Sequence, residues 1–370
     1  MRSSEPVNGH EAENFSMFSA ERQPSGCSSA YCSKNSEADA LDRGIMQISK
    51  MIAVCAALVG ATASVGAQSW PTRPMTMVAP FAAGGSTDAI ARIVADGLSS
   101  QLRQPVVVEN IGGAGGMTGA NRVAKAAPDG YQFVLGNVGT HAQNQTLYKR
   151  PLYNAATDFA PVGLVTDQSL VLVARKDFPA NNLREFITYA KANQSRMQYS
   201  SAGTGGSNHL ACVLLNATIG IDVTHVPYRS GGQAMQDLLA GRVDFQCPSA
   251  PTAMPQIVGM SVKALAVLSK NRSPSMPTLA SAHEQGLTDF DIPSWYALFL
   301  PQGTPDAIVQ KLHDAMIAAM DTPAVQDRMR KIGSDLVPPE RRSSEYLGRF
   351  VVSEIEKWSV PIRASGVQIE

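Results

Sequence analysis

Two stretches of this chain place small hydrogen-bond donors at the start of a helix. The first, PFAAGGSTDAIARIVADGL, begins at Pro80. The second, YSSAGTGGSNHLACVLL, begins at Tyr199. Each runs from a short apolar segment through adjacent glycines into hydroxyl residues and then into apolar residues at helical spacing. Backbone N–H groups at a helix N-terminus have no intrahelical partner, and the helix dipole adds partial positive charge there. Glycine lets a ligand approach the backbone closely. Ser86 and Thr87 in the first turn, and Ser201, Thr204, Ser207 and Asn208 in the second, add side-chain donors. The chemistry these residues offer is capture of an anion without a fixed cation, since neither turn contains Lys or Arg. Either turn alone also reads as ordinary helix capping; two of like character in one chain favour binding.

Other chemistries fit less well. A phosphate loop of the form G-x-x-x-x-G-K-[ST] is absent, and G-x-G-x-x-G fails because Thr118 follows Gly113 and Gly115, and Asn208 follows Gly203 and Gly205. No G-x-S-x-G elbow occurs. Ser207 and His209 are near neighbours, but proximity at a helix start does not make a nucleophile–base pair. His141 and His225 stand isolated and read as core or surface histidines, and no H-x-x-x-H or C-x-x-C spacing suggests a metal. No catalytic residue, metal or cofactor is expected.

The elements that must position these turns alternate along the chain. MTMVAP reads as a buried strand, followed by a helix capped by Ser86 or Thr87 with Ile90, Ile93, Val94 and Leu98 on one face. PVVVEN is a second strand, GGAGGMTGANRVAKA a turn into a short helix, and YQFVLGN a third strand. The rhythm resumes with a strand at Ser169 to Asp177, a helix at Leu183 to Ala192, a strand into the second glycine turn, and a helix carrying Leu210, Val213, Leu214 and Ile219. DVTHVPY, VDFQC and VKALAVL supply further strands, with a helix over Ala234 to Leu239. Late helices are predicted at Asp306 to Met320, Ala324 to Ile332 and Ser344 to Trp358. Such alternation implies α/β sheets, mixed but mostly parallel, flanked by helices.

The composition bounds the partners. With 31 Lys+Arg against 31 Asp+Glu in 370 residues, nothing draws the chain to nucleic acid or to an anionic membrane surface. Residues 1–45 are polar and aperiodic and read as a non-native or disordered extension, with Met46 as initiator. Residues 46–67 read as a signal peptide: Lys50 precedes an apolar core at Met51 to Val59, and Val65-Gly66-Ala67 is a small-residue cleavage site. That run is shorter than the roughly 20 residues of a spanning helix. The expectation is an exported, periplasmic protein. Of five cysteines, Cys212 and Cys247 follow the leader. In an oxidising compartment they can bond, or remain as two buried thiols.

Beyond these local signals, WPTRPMTMVAPFAAGGSTDAIARIVADGL, VVVENIGGAGGMTGANRVAKAAPDGYQFVLGN, SSAGTGGSNHL, THVPYRSGGQAMQDLLAGRVDF, VKALAVLSKNRSPSMPTLASAHEQGL and SWYALFLPQGTPDAIVQKL occur in the order seen in the tripartite tricarboxylate transporter receptors, the TctC or Bug-type periplasmic binding proteins, and the chain resembles them over nearly its whole mature length. The resemblance implies a two-lobed Venus-flytrap fold with two crossing strands as hinge. Lobe 1 would span 68–171 and 297–370, and lobe 2 would span 172–296. It implies a monomer that holds a small carboxylate (a di- or tricarboxylate, an acidic amino acid or an aromatic acid) in the interlobe cleft for membrane permease subunits. The binding residues carried over are Phe81, Ala83, Gly84, Gly85, Ser86, Thr87 and Asp88 in the first turn. In the second they are Ser201, Thr204, Gly205, Gly206, Ser207 and His209, joined by Thr140 and Tyr228. Some members pair a cysteine at the position of Cys247 with one in the helix of the second turn, which favours the Cys212–Cys247 bond.

Asp88 is out of place beside an anion. It is expected to accept N–H bonds at its own helix start or to pair with Arg92. Ile111-Gly112 stands where Arg-Pro is usual, a departure expected to touch local surface packing rather than the cleft. Two other roles fit the sequence: a receptor feeding a two-component sensor kinase, and, less well, a serine hydrolase, for which a Ser207→Ala control is the test.

Overall fold

The computed structural model describes residues 70–370; the extension over 1–45 and the leader over 46–67 lie outside them. Among the described residues no helix is long and apolar enough to cross a membrane. The first strand–helix–strand run is β1 (Met75–Ala79), α1 (Ser86–Leu102), β2 (Val106–Asn110), α2 (Met117–Ala124) and β3 (Gln132–Asn137). β1 pairs in parallel with both β2 and β3, as alternation requires. α1 buries Ile90, Ile93, Val94 and Leu98, the apolar face read from its spacing.

β4 (Phe159–Gln168) then leads directly into β5 (Val171–Arg175). A second run follows: α3 (Leu183–Asn193), β6 (Gln198–Ser201), α4 (Ser207–Ile219), β7 (Thr224–Pro227), α5 (Gly231–Leu239), β8 (Phe245–Gln246), α6 (Ala250–Val258) and β9 (Val262–Val267). The chain closes with β10 (Ser294–Pro301), α7 (Asp306–Met320), α8 (Pro323–Lys331), β11 (Asp335–Leu336) and α9 (Ser344–Ala364). Two sheets result, ordered β11-β4-β10-β3-β1-β2 and β7-β6-β8-β5-β9.

The expected dominance of parallel pairing needs correction. Among the described residues, four of the nine strand pairings are parallel, and five are antiparallel. The parallel ladders lie where strand and helix alternate. The antiparallel ones involve β4, β5, β9 and β10, which flank the two passages between sheets, together with the short β11. β10 has every residue buried and lies between β3 and β4. A strand covered on both faces shows no period-2 alternation, so its sequence carries no periodic signature.

The chain passes from the first sheet to the second through Ser169 and Leu170 alone, and returns between β9 and β10. The passages are bonded to each other. Leu268 N–H donates to Leu170 O at 2.8 Å, and Ile292 N–H to Leu268 O at 3.0 Å. Near the return, the indoles of Trp295 and Trp358 both donate to buried Glu354 Oε2, at 2.9 and 3.0 Å. Two buried N–H groups thus share one carboxylate oxygen, a satisfied arrangement that anchors α9 to β10.

Candidate functional site

The two glycine turns have related conformations. Gly84 and Gly205 have φ of +88° and +85°, in the left-handed region that glycine enters without a Cβ penalty. Each is followed by an extended glycine, Gly85 or Gly206, that occupies the N-cap. The expected capping by Ser86 or Thr87 is therefore corrected. Both residues already lie inside α1, and no side chain caps its Gly85 position. Their hydroxyls point to other partners: Ser86 Oγ lies 2.7 Å from Thr252 Oγ1, and Thr87 Oγ1 lies 3.3 Å from Tyr296 OH.

Asp88 serves as the anchor of the first turn. Its Oδ2 accepts the Gly84 N–H at 3.1 Å, and its Oδ1 pairs with Arg92 at 2.9 Å, one helical turn on. Burial pushes the carboxyl pKa up, but the Arg92 and Gly84 bonds outweigh it and leave it below the usual value of 3.8. A depressed carboxylate adds stability above its unfolded pKa and loses it as pH falls through the folded one. The difference in unfolding free energy between wild type and Asp88→Asn should be flat near neutrality and shrink in acid below the usual carboxylate range. Urea midpoints followed from neutrality to about pH 2.5 check this; a difference that stays constant over that range contradicts it.

Four helix N-termini converge on a cavity of about 30 Å³. α1 brings Gly85, Ser86 and Thr87, α4 brings Ser207 and Asn208, α5 brings Gly231, and α6 brings Ser249 and Thr252. Asn137 at the end of β3, Tyr296 of β10 and Phe81 complete the polar and aromatic wall. Among the described residues, no Lys, Arg, Asp or Glu lines it. The Tyr296 phenol is held above its ordinary pKa by burial, against hydrogen bonds with Thr87, Ser249 and Asn137, and so remains a neutral donor. The arrangement offers amide, hydroxyl and dipole stabilisation to one small anion.

A second cavity of about 520 Å³ adjoins the first, and Phe81 and Ala202 line both. Its wall includes Thr204 and Tyr228, and also the run Gly112 to Gly116. The expectation that the Ile111-Gly112 departure stays away from the cleft is overturned. The loop after β2 folds back against residues that follow the strands of the second sheet, where a Cβ at Gly115 would lie 2.6 Å from Gly205 C and one at Gly112 would lie 3.7 Å from Arg229 O.

The other residues singled out from sequence stand behind these walls. Ala83 O accepts Ser230 Oγ–H at 3.3 Å, and Gly84 donates to Asp88. Thr140 Oγ1 accepts the Asn137 N–H at 2.9 Å and lies 2.8 Å from His141 Nδ1. Ser201 Oγ accepts the Gly203 N–H and sits 2.7 Å from His225 Nε2. Gly205 N–H points to His209 Nδ1 at 3.4 Å, and Gly206 caps α4. His225 is thus not isolated: its ring lies 4.3 Å from that of His209. Burial, with His225 adding to it, lowers His209 to about 3, and burial lowers His225 to about 4, so both rings are neutral at physiological pH. His141 is a core histidine, stacked on Phe299 at 3.9 Å. Cys212 in α4 and Cys247 beside β8 form a disulfide with Cα atoms 5.7 Å apart.

Asn137, Gly231, Ser249, Thr252 and Tyr296 were not read from sequence as site residues. Two of the helix starts did leave signals. Ser230-Gly231-Gly232-Gln233 has the S-x-x-Q pattern of a capping box: Ser230 Oγ accepts the Gln233 N–H, while Gln233 Oε1 accepts the N–H of Arg229, one residue before the N-cap. Ser249-Ala250-Pro251 places proline in the first turn of α6.

The family described as "Tripartite tricarboxylate transporter family receptor" matches residues 90–367. A UPF0065 protein from the TAR-I ttuE–ttuC' intergenic region of Agrobacterium vitis is 37% identical over 298 residues, covering 80% of this chain and 86% of its own. The periplasmic binding protein BugD superposes with a TM-score of 0.79 at 37% identity, over 81% of this chain and 100% of its own. MatC from Rhodopseudomonas palustris with bound malate gives 0.77 at 38% identity, over 79% of this chain and 100% of its own. The chain belongs to the tripartite tricarboxylate transporter receptors, the TctC/Bug group of periplasmic solute-binding proteins, which is a family of receptors and not of enzymes.

Proposed function

We propose that this chain, exported by the leader over 46–67, captures a small carboxylate between its two lobes in the periplasm and presents it to a tripartite tricarboxylate-type membrane permease. The observation that carries the reading is the convergence of four helix N-termini on a chamber whose polar lining, among the described residues, is uncharged. Each hydrogen bond to a charged acceptor contributes roughly 1.5–3 kcal/mol, so several offset the loss of carboxylate hydration. The malate bound to MatC supports a carboxylate as cargo. Ser86, Thr87, Ser207 and the α5 and α6 starts are assigned to the acid group. Asp88, Thr140, Ser201 and His209 are assigned to shaping the turns behind them.

The test is a thermal-shift and calorimetric panel of mono-, di- and tricarboxylates on the folded protein. A ligand at a hundredfold excess over its Kd should add about 2.7 kcal/mol of apparent stability, or roughly 5 °C or more in Tm. A panel in which amines or sugars bind and no carboxylate does sinks the reading.

A further inference from the structure

We propose that the 520 Å³ cavity receives the far end of the ligand and that Arg229, at its wall, selects for a second anionic group there. This rests on the carboxylate reading above and adds a residue and a ligand class to it.

Volume comes first. The inner chamber, at about 30 Å³, has room for on the order of two water molecules, and therefore for a head group and little more. The rest of any acid larger than that must extend elsewhere. The cavity that shares Phe81 and Ala202 with the chamber has about 520 Å³, within the usual range for small-molecule sites. A ligand chain leaving the chamber passes the Phe81 ring and enters it.

Charge comes second. Among the described residues, the inner chamber has no ionised residue in its wall, whereas the outer cavity has Arg229 and no carboxylate. Arg229 is fixed at this place by its backbone: its N–H donates to Gln233 Oε1, and its carbonyl accepts the Ala82 N–H from the opposite lobe at 3.3 Å. Its guanidinium forms no ion pair or hydrogen bond among the described residues. Asp237, which accepts the Tyr228 hydroxyl, is already paired with Arg242. Arg229 lines this cavity together with the glycines of the loop after β2, and an unpaired guanidinium suits a planar anionic group, which it can engage with two parallel N–H donors. The inner chamber then reads the acid common to all ligands, and the outer cavity discriminates among them.

The experiment compares wild type, Arg229→Gln and Arg229→Lys by isothermal titration. The ligands are α,ω-dicarboxylates from succinate to suberate, each matched with the straight-chain monocarboxylate of the same length. Wild type should prefer the dicarboxylate at its best length. Arg229→Gln should weaken that dicarboxylate by about 10- to 100-fold while changing the matched monocarboxylate by less than about threefold, and Arg229→Lys should restore much of the preference. Arg229 is exposed, and a Tm unchanged by its replacement establishes that the fold is intact. Wild type that binds both series equally, or a Gln variant that keeps the preference or loses both series alike, overturns this assignment and leaves the carboxylate reading standing. Wild type that binds neither series overturns both.

Discussion

Gly232→Ala should leave the protein folded and weaken its ligand by about 10- to 100-fold. Gly232 is the second residue of α5, and its φ lies outside the left-handed region, so alanine fits its backbone and favours the helix by up to about 1 kcal/mol. What alanine does not fit is the opposite lobe. A Cβ at this position would fall within the van der Waals surface of Gly84 O and 2.8 Å from Gly84 C. Both are backbone atoms, in a turn that Asp88 holds through the Gly84 N–H. Neither a rotamer change nor a small shift of a side-chain tip relieves the overlap.

The strain falls on the contact between the first turn and α5, and not on either of the two elements alone. Overpacking of this kind costs about 1–3 kcal/mol, and the apparent affinity falls with the closed population. Calorimetry with the tightest acid of the panel measures the loss. Small-angle scattering should show a smaller contraction on ligand addition than wild type gives. Gly348→Ala is the control: its Cβ would meet only Pro161 Cγ at 3.6 Å, an ordinary contact, and binding should be unchanged. A Gly232→Ala protein with wild-type affinity would remove the interlobe contact from the account of capture.

The same contact shows why part of the site was legible in the sequence and part was not. A glycine turn followed by hydroxyls and an apolar helical face is a local pattern, and both such turns came out as helix N-termini at the inner chamber. The absence of Lys and Arg from them translated directly into a chamber without ionised walls. Asp88 was legible too, because an acid three residues past an N-cap has few partners except the turn and the residue one helical turn on. Ser86 and Thr87 were misjudged as caps because the chain enters α1 one residue earlier than a hydroxyl would dictate, through Gly85. That entry frees both hydroxyls for Thr252 and Tyr296, residues 166 and 209 positions away.

The residues not foreseen are those whose position depends on distant pairing. Tyr296 reaches the chamber because β10 is inserted between β3 and β4, and a wholly buried strand has no alternation to announce which side chain faces what. Gly112 to Gly116 lie in the interface because their loop crosses to Gly205, a partner some ninety positions along the chain that no local reading supplies.

Replacing Cys212 and Cys247 together by alanine should lower the unfolding free energy by about 2–4 kcal/mol, visible as a Tm lowered by roughly 5–10 °C. The bond closes a loop with a sequence separation of 35, for which the chain-entropy account gives a value near the top of that range. It sits where stability and site geometry meet. Cys212 lies in the second turn of α4, behind Ser207 and Asn208, and Cys247 immediately precedes Pro248 and Ser249. The disulfide therefore sets the spacing between two walls of the inner chamber that otherwise belong to separate helices, α4 and α6. Loosening it should weaken ligand binding less than Gly232→Ala does, because the N–H groups remain and only their preorganisation suffers. Both sulfurs are buried, so the reductant must act on transiently opened molecules, and protection from dithiothreitol should increase with bound ligand. Urea midpoints of wild type, the double variant and reduced wild type form the measurement. Reduced wild type should coincide with the double variant; if reduction leaves the midpoint unmoved, the bridge contributes nothing, and the chamber wall is held by packing of α4 and α6 alone.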